Sequence, residues 1–278
     1  MNIKNLVLFF LLVSPAAMAQ DYLQQAFFAK DASKVLVAAH RAAHNFAPEN
    51  SLLAVENAIK EGVDIIEIDA KTSKDGVVML MHDGTINRTT NGIGPLENYT
   101  FEELRKLRLK NSDGTLSEYQ IPTLAEVFHL AKGHIIIDLD LKTENIEPIV
   151  AEVQKAGMQT QAFFFDSDYD VLKRIKTIDP SLYLMPRTHS RNEVEDAIRI
   201  FNPSIVHIDP TFYTKEMMVD LKARNVKVWI NALGKVDISI AGGNSSLFME
   251  LVGNGANVIQ TDQPEKMLKL LKSAGLHK

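Results

Sequence analysis

Eight short apolar runs recur along this chain, and amphipathic stretches separate most of them. The runs are residues 35–39, 64–70, 134–141, 161–165, 182–185, 204–208, 227–230 and 257–260. Helical periodicity fills 51–61, 123–131, 146–155, 169–178, 193–201, 215–224 and 264–274, while 237–253 reads less clearly, with helix towards its end. Strands that alternate with helices imply a parallel sheet. Eight such units in about 250 residues match the size of a (β/α)8 TIM barrel. An open doubly wound sheet is the competing arrangement on pattern alone. No linker or repeat divides the chain, so residues 20–278 read as a single barrel domain.

One segment interrupts the alternation. Lys74-Asp75-Gly76 is a hairpin turn signal after the second run, and Val77 to Met81 follow it as a short apolar return. Counting back from that turn sets Asp69 almost opposite Met81 and His82. Residues 83–121 are then polar and glycine-containing, with a short helix expected near 101–109. They read as a small insertion over the barrel mouth, after the second strand.

The first twenty residues form a different pattern. Lys4 precedes an apolar run over 6–13, and Ala17-Met18-Ala19 ends the segment. That is the layout of a secretory signal over 1–19 with an A-x-A cleavage site. The run is too short for a stable membrane anchor, since spanning takes roughly 20 apolar residues. The expected product is exported, either periplasmic or secreted. The chain has no cysteine, which excludes disulfides, thiolate zinc sites and a cysteine nucleophile. Its net charge is -5 with no basic cluster, which argues against nucleic acid as a partner. Nothing in the sequence sets the oligomeric state.

Chemistry-bearing side chains gather at the strand ends. Glu67 and Asp69 are two apart and share one strand face; Asp138, Asp140 and Lys142 share another. Ile66, Ile68, Leu139 and Leu141 take the opposite faces, as strands packed outward on helices require. Carboxylates turned into a barrel are very costly unless paired. A hard divalent cation with oxygen ligands offsets that cost, and a salt-bridge network with Lys142 and Arg41 is the alternative. His40-Arg41 ends the first strand, at the face where such barrels carry catalysis. Asn50 or Ser51 caps the first helix. His40 and His82 thus flank the carboxylates, and paired histidines suit general acid–base work. Arg41 and Lys142 suit an anionic phosphate. The sequence contains no Walker loop, G-x-S-x-G elbow, H-E-x-x-H motif or dinucleotide fingerprint.

The ordered series His40-Arg41, Pro48-Glu49-Asn50-Ser51, Ile66-Glu67-Ile68-Asp69, Thr72 to Gly76, and His82-Asp83 through Arg88 to Gly92 resembles the glycerophosphodiester phosphodiesterase family. The resemblance continues through Pro122-Thr123-Leu124, Asp140-Leu141-Lys142, Trp229-Ile230-Asn231 and Thr261-Asp262-x-Pro264. It implies a (β/α)8 barrel with a small insertion. It also implies metal-dependent hydrolysis of a small-molecule phosphodiester to glycerol 3-phosphate and an alcohol. By that resemblance His40 and His82 match the catalytic pair, and Glu67, Asp69 and Asp140 match the ligands of one divalent ion, Mg²⁺ or Ca²⁺. Arg41 and Lys142 match the phosphate-binding positions. Trp229 is expected to line the substrate pocket, whereas Phe163 and Phe165 read as core. Three positions depart from the family pattern: Ala42 stands where glycine is usual, Ser51 where threonine is, and Asp140 where glutamate is.

Two other functions fit the same pattern. One is a phospholipase acting on lysophospholipid or phosphoinositide head groups. The other is a non-catalytic exported protein that captures glycerophosphodiesters, disfavoured because binding alone needs no acid–base pair. His44, His207 and Asp209 also fall at the expected mouth, without an assigned role. The signal pattern predicts Gln20 as the mature N-terminus. Intact-mass measurement of the exported protein checks this, and an uncleaved chain retained in the cell contradicts it.

Overall fold

Parallel neighbours need crossover connections, and helices that bury one face on the sheet supply them here. The computed structural model describes residues 34–277; the signal segment 1–19 lies outside the described residues. The chain begins β1 (Leu36–Ala39), α1 (Leu52–Glu61), β2 (Ile65–Thr72), β3 (Val78–Leu80). The insertion contains α2 (Phe101–Leu104), and after it come α3 (Leu124–Ala131), β4 (Ile136–Leu141), α4 (Glu147–Ala156), β5 (Ala162–Asp166) and α5 (Tyr169–Ile178). The rest is β6 (Tyr183–Thr188), α6 (Arg191–Phe201), β7 (Ile205–Ile208), α7 (Lys215–Ala223), β8 (Lys227–Asn231), α8 (Lys235–Ala241), α9 (Ser246–Gly253), β9 (Val258–Thr261) and α10 (Pro264–Ser273).

The strands run in the order β1-β9-β8-β7-β6-β5-β4-β2, and β1 pairs with β2 to close the ring. All eight ring strands are parallel, as a (β/α)8 barrel requires. β3 lies outside the ring, antiparallel to β2 with Ala70 opposite Leu80. The Met81 amide donates to the Asp69 carbonyl at 2.9 Å, so the hairpin register is the one counted from the turn.

Alternation along each strand sorts the core into two zones. Ile66, Ile68, Leu139 and Leu141 pack outward with the helices. Leu36, Ala38, Ile65, Ile136, Phe163, Met185, Ile205, Trp229 and Val258 fill the interior. Above that apolar floor the inward positions turn polar, and they create the site. The segment after β3 has its own core of Met79, Met81, Ile86, Leu96, Leu104, Leu109 and Ile121.

Two helix expectations change. The helix expected over 101–109 is the single turn α2, started by a Thr100–Glu103 capping box. It ends at Leu104, two turn hydrogen bonds follow at Lys106 and Leu107, and Leu109 then donates to the Tyr119 carbonyl. The ambiguous 237–253 stretch is two helices, broken at Gly242-Gly243, where Gly243 takes φ +83°. Among the described residues no helix is long and apolar enough to cross a membrane.

Arg41 (φ +50°) and Ala42 (φ +61°) adopt left-handed backbone just after β1. A side chain there costs roughly 1–2 kcal/mol, which explains glycine as the usual residue at position 42. Ala42→Gly relieves that strain but loses a buried methyl, about 0.8 kcal/mol, and gains unfolded-state entropy, about 0.4–1 kcal/mol. The expected net change is close to zero. Ala54→Gly, equally buried but inside α1, has no strain to relieve and should cost about 1.5 kcal/mol. Paired urea unfolding curves compare the two; equal costs would refute the strain at Ala42.

Candidate active site

Inward-facing polar residues cap the interior at the C-terminal ends of the strands. β2 and β4 pair in register, Glu67 with Asp138 and Asp69 with Asp140. Four acid groups are thus enclosed in two layers, and Glu67, Asp69 and Asp138 are buried. Oxygens of Glu67, Asp69 and Asp140 all lie within 4.8 Å of one another. Asp138 sits one layer deeper, outside that group.

Each upper carboxylate is held by specific donors. Oε2 of Glu67 accepts the Arg41 backbone N–H at 2.8 Å and the Gln260 amide at 3.3 Å. The same Gln260 accepts the Trp229 indole N–H at 3.1 Å. Oδ2 of Asp69 accepts from the Asn50 amide at 2.6 Å, while the Asp69 N–H donates to the Asn50 carbonyl oxygen at 3.1 Å. Ser51, not Asn50, is the cap of α1. Lys142 Nζ lies 2.7 Å from Asp140 and 3.5 Å from Asp69. Oδ1 of Asp69 and Oδ1 of Asp138 are buried with no hydrogen-bond partner.

The electrostatics follow from this crowding. Burial pushes the Glu67 carboxyl well above the ordinary range, and Asp69, Asp140 and Asp138 push it further. Asp138 is likewise raised well above its usual value, by burial first and then by Asp140. Burial brings Asp140 up to about 7, even against the Lys142 charge. A cluster of hard oxygen donors that resists ionisation, with an unpartnered buried carboxylate oxygen, fits a hard divalent cation. The shared Lys142 ammonium also shows that the salt-bridge arrangement is present in the ion-free chain.

Both expected histidines reach this face. His40 follows β1, and its Nδ1 lies 2.7 Å from Asp262 Oδ1. A carboxylate accepts only, so Nδ1 carries the proton, and Nε2 is directed towards Glu67, 4.0 Å away. His82 follows β3, and its Nδ1 lies 2.7 Å from Asp83 Oδ1. His44 donates from Nδ1 to the His40 carbonyl at 2.8 Å, and its Nε2 is 3.7 Å from Asp262. Although burial alone would raise Asp262, the His40 hydrogen bond and the nearby His44 and Arg41 charges hold it below its usual value.

Arg41 lies beside the carboxylates, with Nη1 2.9 Å from Glu49 and Nε 3.7 Å from Asp69. Glu49 also receives Arg88, which reaches Asp83 with Nε and Nη2. The chain Arg41–Glu49–Arg88–Asp83–His82 therefore ties the insertion to the β1 rim.

Trp229 is placed differently from expectation. Its indole is fully buried, 5.9 Å from the Phe163 ring, one layer below the mouth. Asn231, two residues on, ends β8, and Trp229 is joined to Glu67 through Gln260. Asp262, Asp83, Gln260 and Asn50 carry contacts for which sequence reasoning assigned no role. Asp262 is 222 residues from His40 and Gln260 is 193 from Glu67, so only barrel closure pairs them.

A closed parallel barrel whose mouth gathers two aspartate-paired histidines beside a carboxylate cluster has the layout of a hydrolase-type site. The family pattern described as glycerophosphoryl diester phosphodiesterase matches residues 40–229. The chain belongs to the glycerophosphoryl diester phosphodiesterase family. It is 26% identical over 254 residues to a glycerophosphodiester phosphodiesterase of Caldanaerobacter subterraneus, covering 87% of this chain and all of that one. A crystal structure of a glycerophosphoryl diester phosphodiesterase from Parabacteroides distasonis superposes with a TM-score of 0.82, at 26% identity and 92% coverage of each chain. An Oleispira antarctica phosphodiesterase, solved with the product sn-glycerol-3-phosphate, shares the fold with a TM-score of 0.74 at 24% identity, over 87% of this chain and 99% of that one.

The raised carboxyls predict a pH signature for the ion-free protein. A carboxyl with a raised folded-state pKa binds more protons folded than unfolded. Its contribution to stability is therefore full below about pH 4, the ordinary carboxylate value, and is lost as pH rises through about 7. Carboxylates with lowered values, such as Asp262, are already ionised above that lower limit. The unfolding midpoint of ion-free protein should fall by several degrees between about pH 5 and about pH 8. Added Mg²⁺ or Ca²⁺ should raise it more at the higher pH, because the ion competes with protons. Differential scanning calorimetry reads both effects; a flat midpoint indifferent to cation would contradict them.

Proposed function

We propose that this chain is an exported, metal-dependent glycerophosphodiester phosphodiesterase that releases glycerol 3-phosphate and an alcohol. The observation that carries the reading is the pair of carboxylate-oriented histidines, His40 with Asp262 and His82 with Asp83, beside the Glu67–Asp69–Asp140 cluster. The family membership and the product named for the Oleispira protein support the substrate class. The residue 1–19 pattern supports export.

Glu67, Asp69 and Asp140 would hold one hard divalent ion, Mg²⁺ or Ca²⁺. When bound, that ion supplies charge stabilisation for the phosphoryl oxygens and a lowered pKa for a coordinated hydroxyl or water. Asp140 is one methylene shorter than the family's usual glutamate. Its reach therefore depends on Lys142, which lies at 2.7 Å, giving way.

The remaining chemistry belongs to side chains. Each histidine donates its Nδ1 proton to an aspartate, leaving Nε2 to exchange protons with the substrate. One Nε2 takes the proton of the attacking hydroxyl or water as the new P–O bond forms. The other imidazole, protonated, gives its proton to the leaving alkoxide as the old P–O bond breaks. Asp262 and Asp83 fix ring orientation and face the positive charge that appears on each ring in turn. Arg41 and Lys142 are placed to take phosphoryl oxygens, exchanging protein carboxylate partners for the substrate anion.

Turnover of glycerophosphocholine, glycerophosphoethanolamine and glycerophosphoinositol, each with and without chelator, tests the reading. Activity on at least one diester, lost in chelator and restored by Mg²⁺ or Ca²⁺, is expected. His40→Ala and His82→Ala should each lower kcat by roughly 10²–10⁴-fold. Full activity in excess chelator would remove the metal, and a loss below about tenfold in either variant would remove that histidine from the mechanism.

A further inference from the structure

Across the mouth from the histidines lies a second polar cluster that the mechanism leaves unused. In the eight-strand ring β7 stands diametrically opposite β2, and β6 opposite β1. The inward positions at their C-terminal ends are Arg187, His207 and Asp209. Arg187 is paired in register with His207. Its Nη1 donates to His207 Nε2 at 2.8 Å, and its Nη2 forms an ion pair with Asp209 Oδ1. Asp209 Oδ2 is in turn 2.8 Å from His189 Nδ1.

His207 is fixed from three sides. It is buried, with its ring 5.0 Å from Phe165 and 6.2 Å from Trp229. Burial, then the Arg187 charge, drives its pKa well below the usual value, so the imidazole is neutral and accepts from Arg187. The guanidinium is therefore held as a cation at the mouth by a neutral acceptor and one carboxylate. Its Nε is left without a hydrogen-bond partner.

Among the described residues, the carboxylates of this wall already carry partners. Both Asp209 oxygens are engaged. Glu193 receives the His189 N–H at 2.7 Å and the Ser190 hydroxyl at 3.4 Å. Asp166, at the end of β5, receives the Asp168 N–H at 2.8 Å and faces Lys142. A diester whose phosphoryl group sits over β1, β2 and β4 has two arms, and this wall is the polar surface on the far side of the ring. A quaternary ammonium directed there would meet a guanidinium, whereas a carboxylate or phosphate would meet a fixed cation whose Nη groups keep a second N–H each beyond those given to His207 and Asp209.

We propose that Arg187, held in place by His207 and Asp209, is the specificity residue for the departing alcohol and selects alcohols bearing an anionic group over a quaternary ammonium. The proposal rests on the phosphodiesterase reading above. Discrimination of this kind needs a repulsive element against the wrong alcohol as well as an attraction for the right one; one guanidinium supplies both.

The test compares kcat/KM on glycerophosphoinositol 4-phosphate and on glycerophosphocholine, using metal-loaded enzyme. Wild type should favour the anionic diester. Arg187→Gln should lower kcat/KM on that diester by about ten- to a hundredfold, the effect of one charge-assisted hydrogen bond, and raise it on the choline diester, because the repulsion is removed as well. Arg187→Lys should retain part of the preference, since it keeps the charge and loses the fork. A wild type that prefers the choline diester overturns the proposal without any variant. An equal loss on both diesters overturns it too, because Arg187 would then serve the shared glycerol arm or the fold. A wild type active on neither diester, nor on the three diesters named above, would remove the phosphodiesterase reading itself and this inference with it.

Discussion

Four acid groups enclosed at one end of a barrel impose the condition that the rest of this structure answers. Glu67, Asp69, Asp138 and Asp140 share a small volume with one ammonium, that of Lys142, and one guanidinium, that of Arg41. Buried like charges repel strongly and lose their hydration. The protein answers in two layers. In the lower layer, burial and the neighbouring Asp140 raise Asp138 well above its usual value and so oppose its ionisation. The upper layer is supplied with donors from four directions: the Arg41 backbone, Asn50, Gln260 and Lys142. An apolar floor under both layers, with Phe163 and Trp229 in edge contact, excludes the water that would otherwise relieve the charge. The same crowding of oxygen donors is what makes Glu67, Asp69 and Asp140 a group able to hold a cation.

The same requirement organises the rim. Each histidine is backed by an aspartate, and the Arg41–Glu49–Arg88–Asp83 chain links the two dyads through alternating charges. The residues after β3 are therefore electrostatically joined to the β1 end, and not only packed on their own small core. Without Glu49 or Arg88, the support of His82 would rest on Asp83 alone. Arg41 sits at the meeting point, its backbone serving Glu67 and its side chain serving Glu49.

Much of this was legible in the sequence because barrels are periodic. Alternation by two put Glu67 with Asp69 and Asp138 with Asp140 on inward faces, and the Lys74-Asp75-Gly76 turn set His82 near Asp69. The partners of those residues were not legible in the same way. His40–Asp262 and Glu67–Gln260 join strands from the two ends of the chain, and no local period encodes a contact created by closing a ring. The depth of Trp229 was not legible for a related reason. Which inward position reaches the mouth depends on strand stagger, and on β8 that position falls to Asn231. Helix α2 keeps the capping box that starts it but extends only to Leu104, and Leu109, expected in the helix, pairs with Tyr119 instead.

The donor that fixes Glu67 is a peptide N–H, presented by the left-handed turn at Arg41 and Ala42. No side-chain replacement can delete a peptide group unless proline is introduced. The innermost contact of the cluster is thus insulated from ordinary sequence drift. Substitution at residues 41 and 42 changes how comfortably the turn is held, but not whether the amide points at the carboxylate. Alanine at position 42 accordingly carries only a steric penalty in a loop while the acid beneath stays anchored.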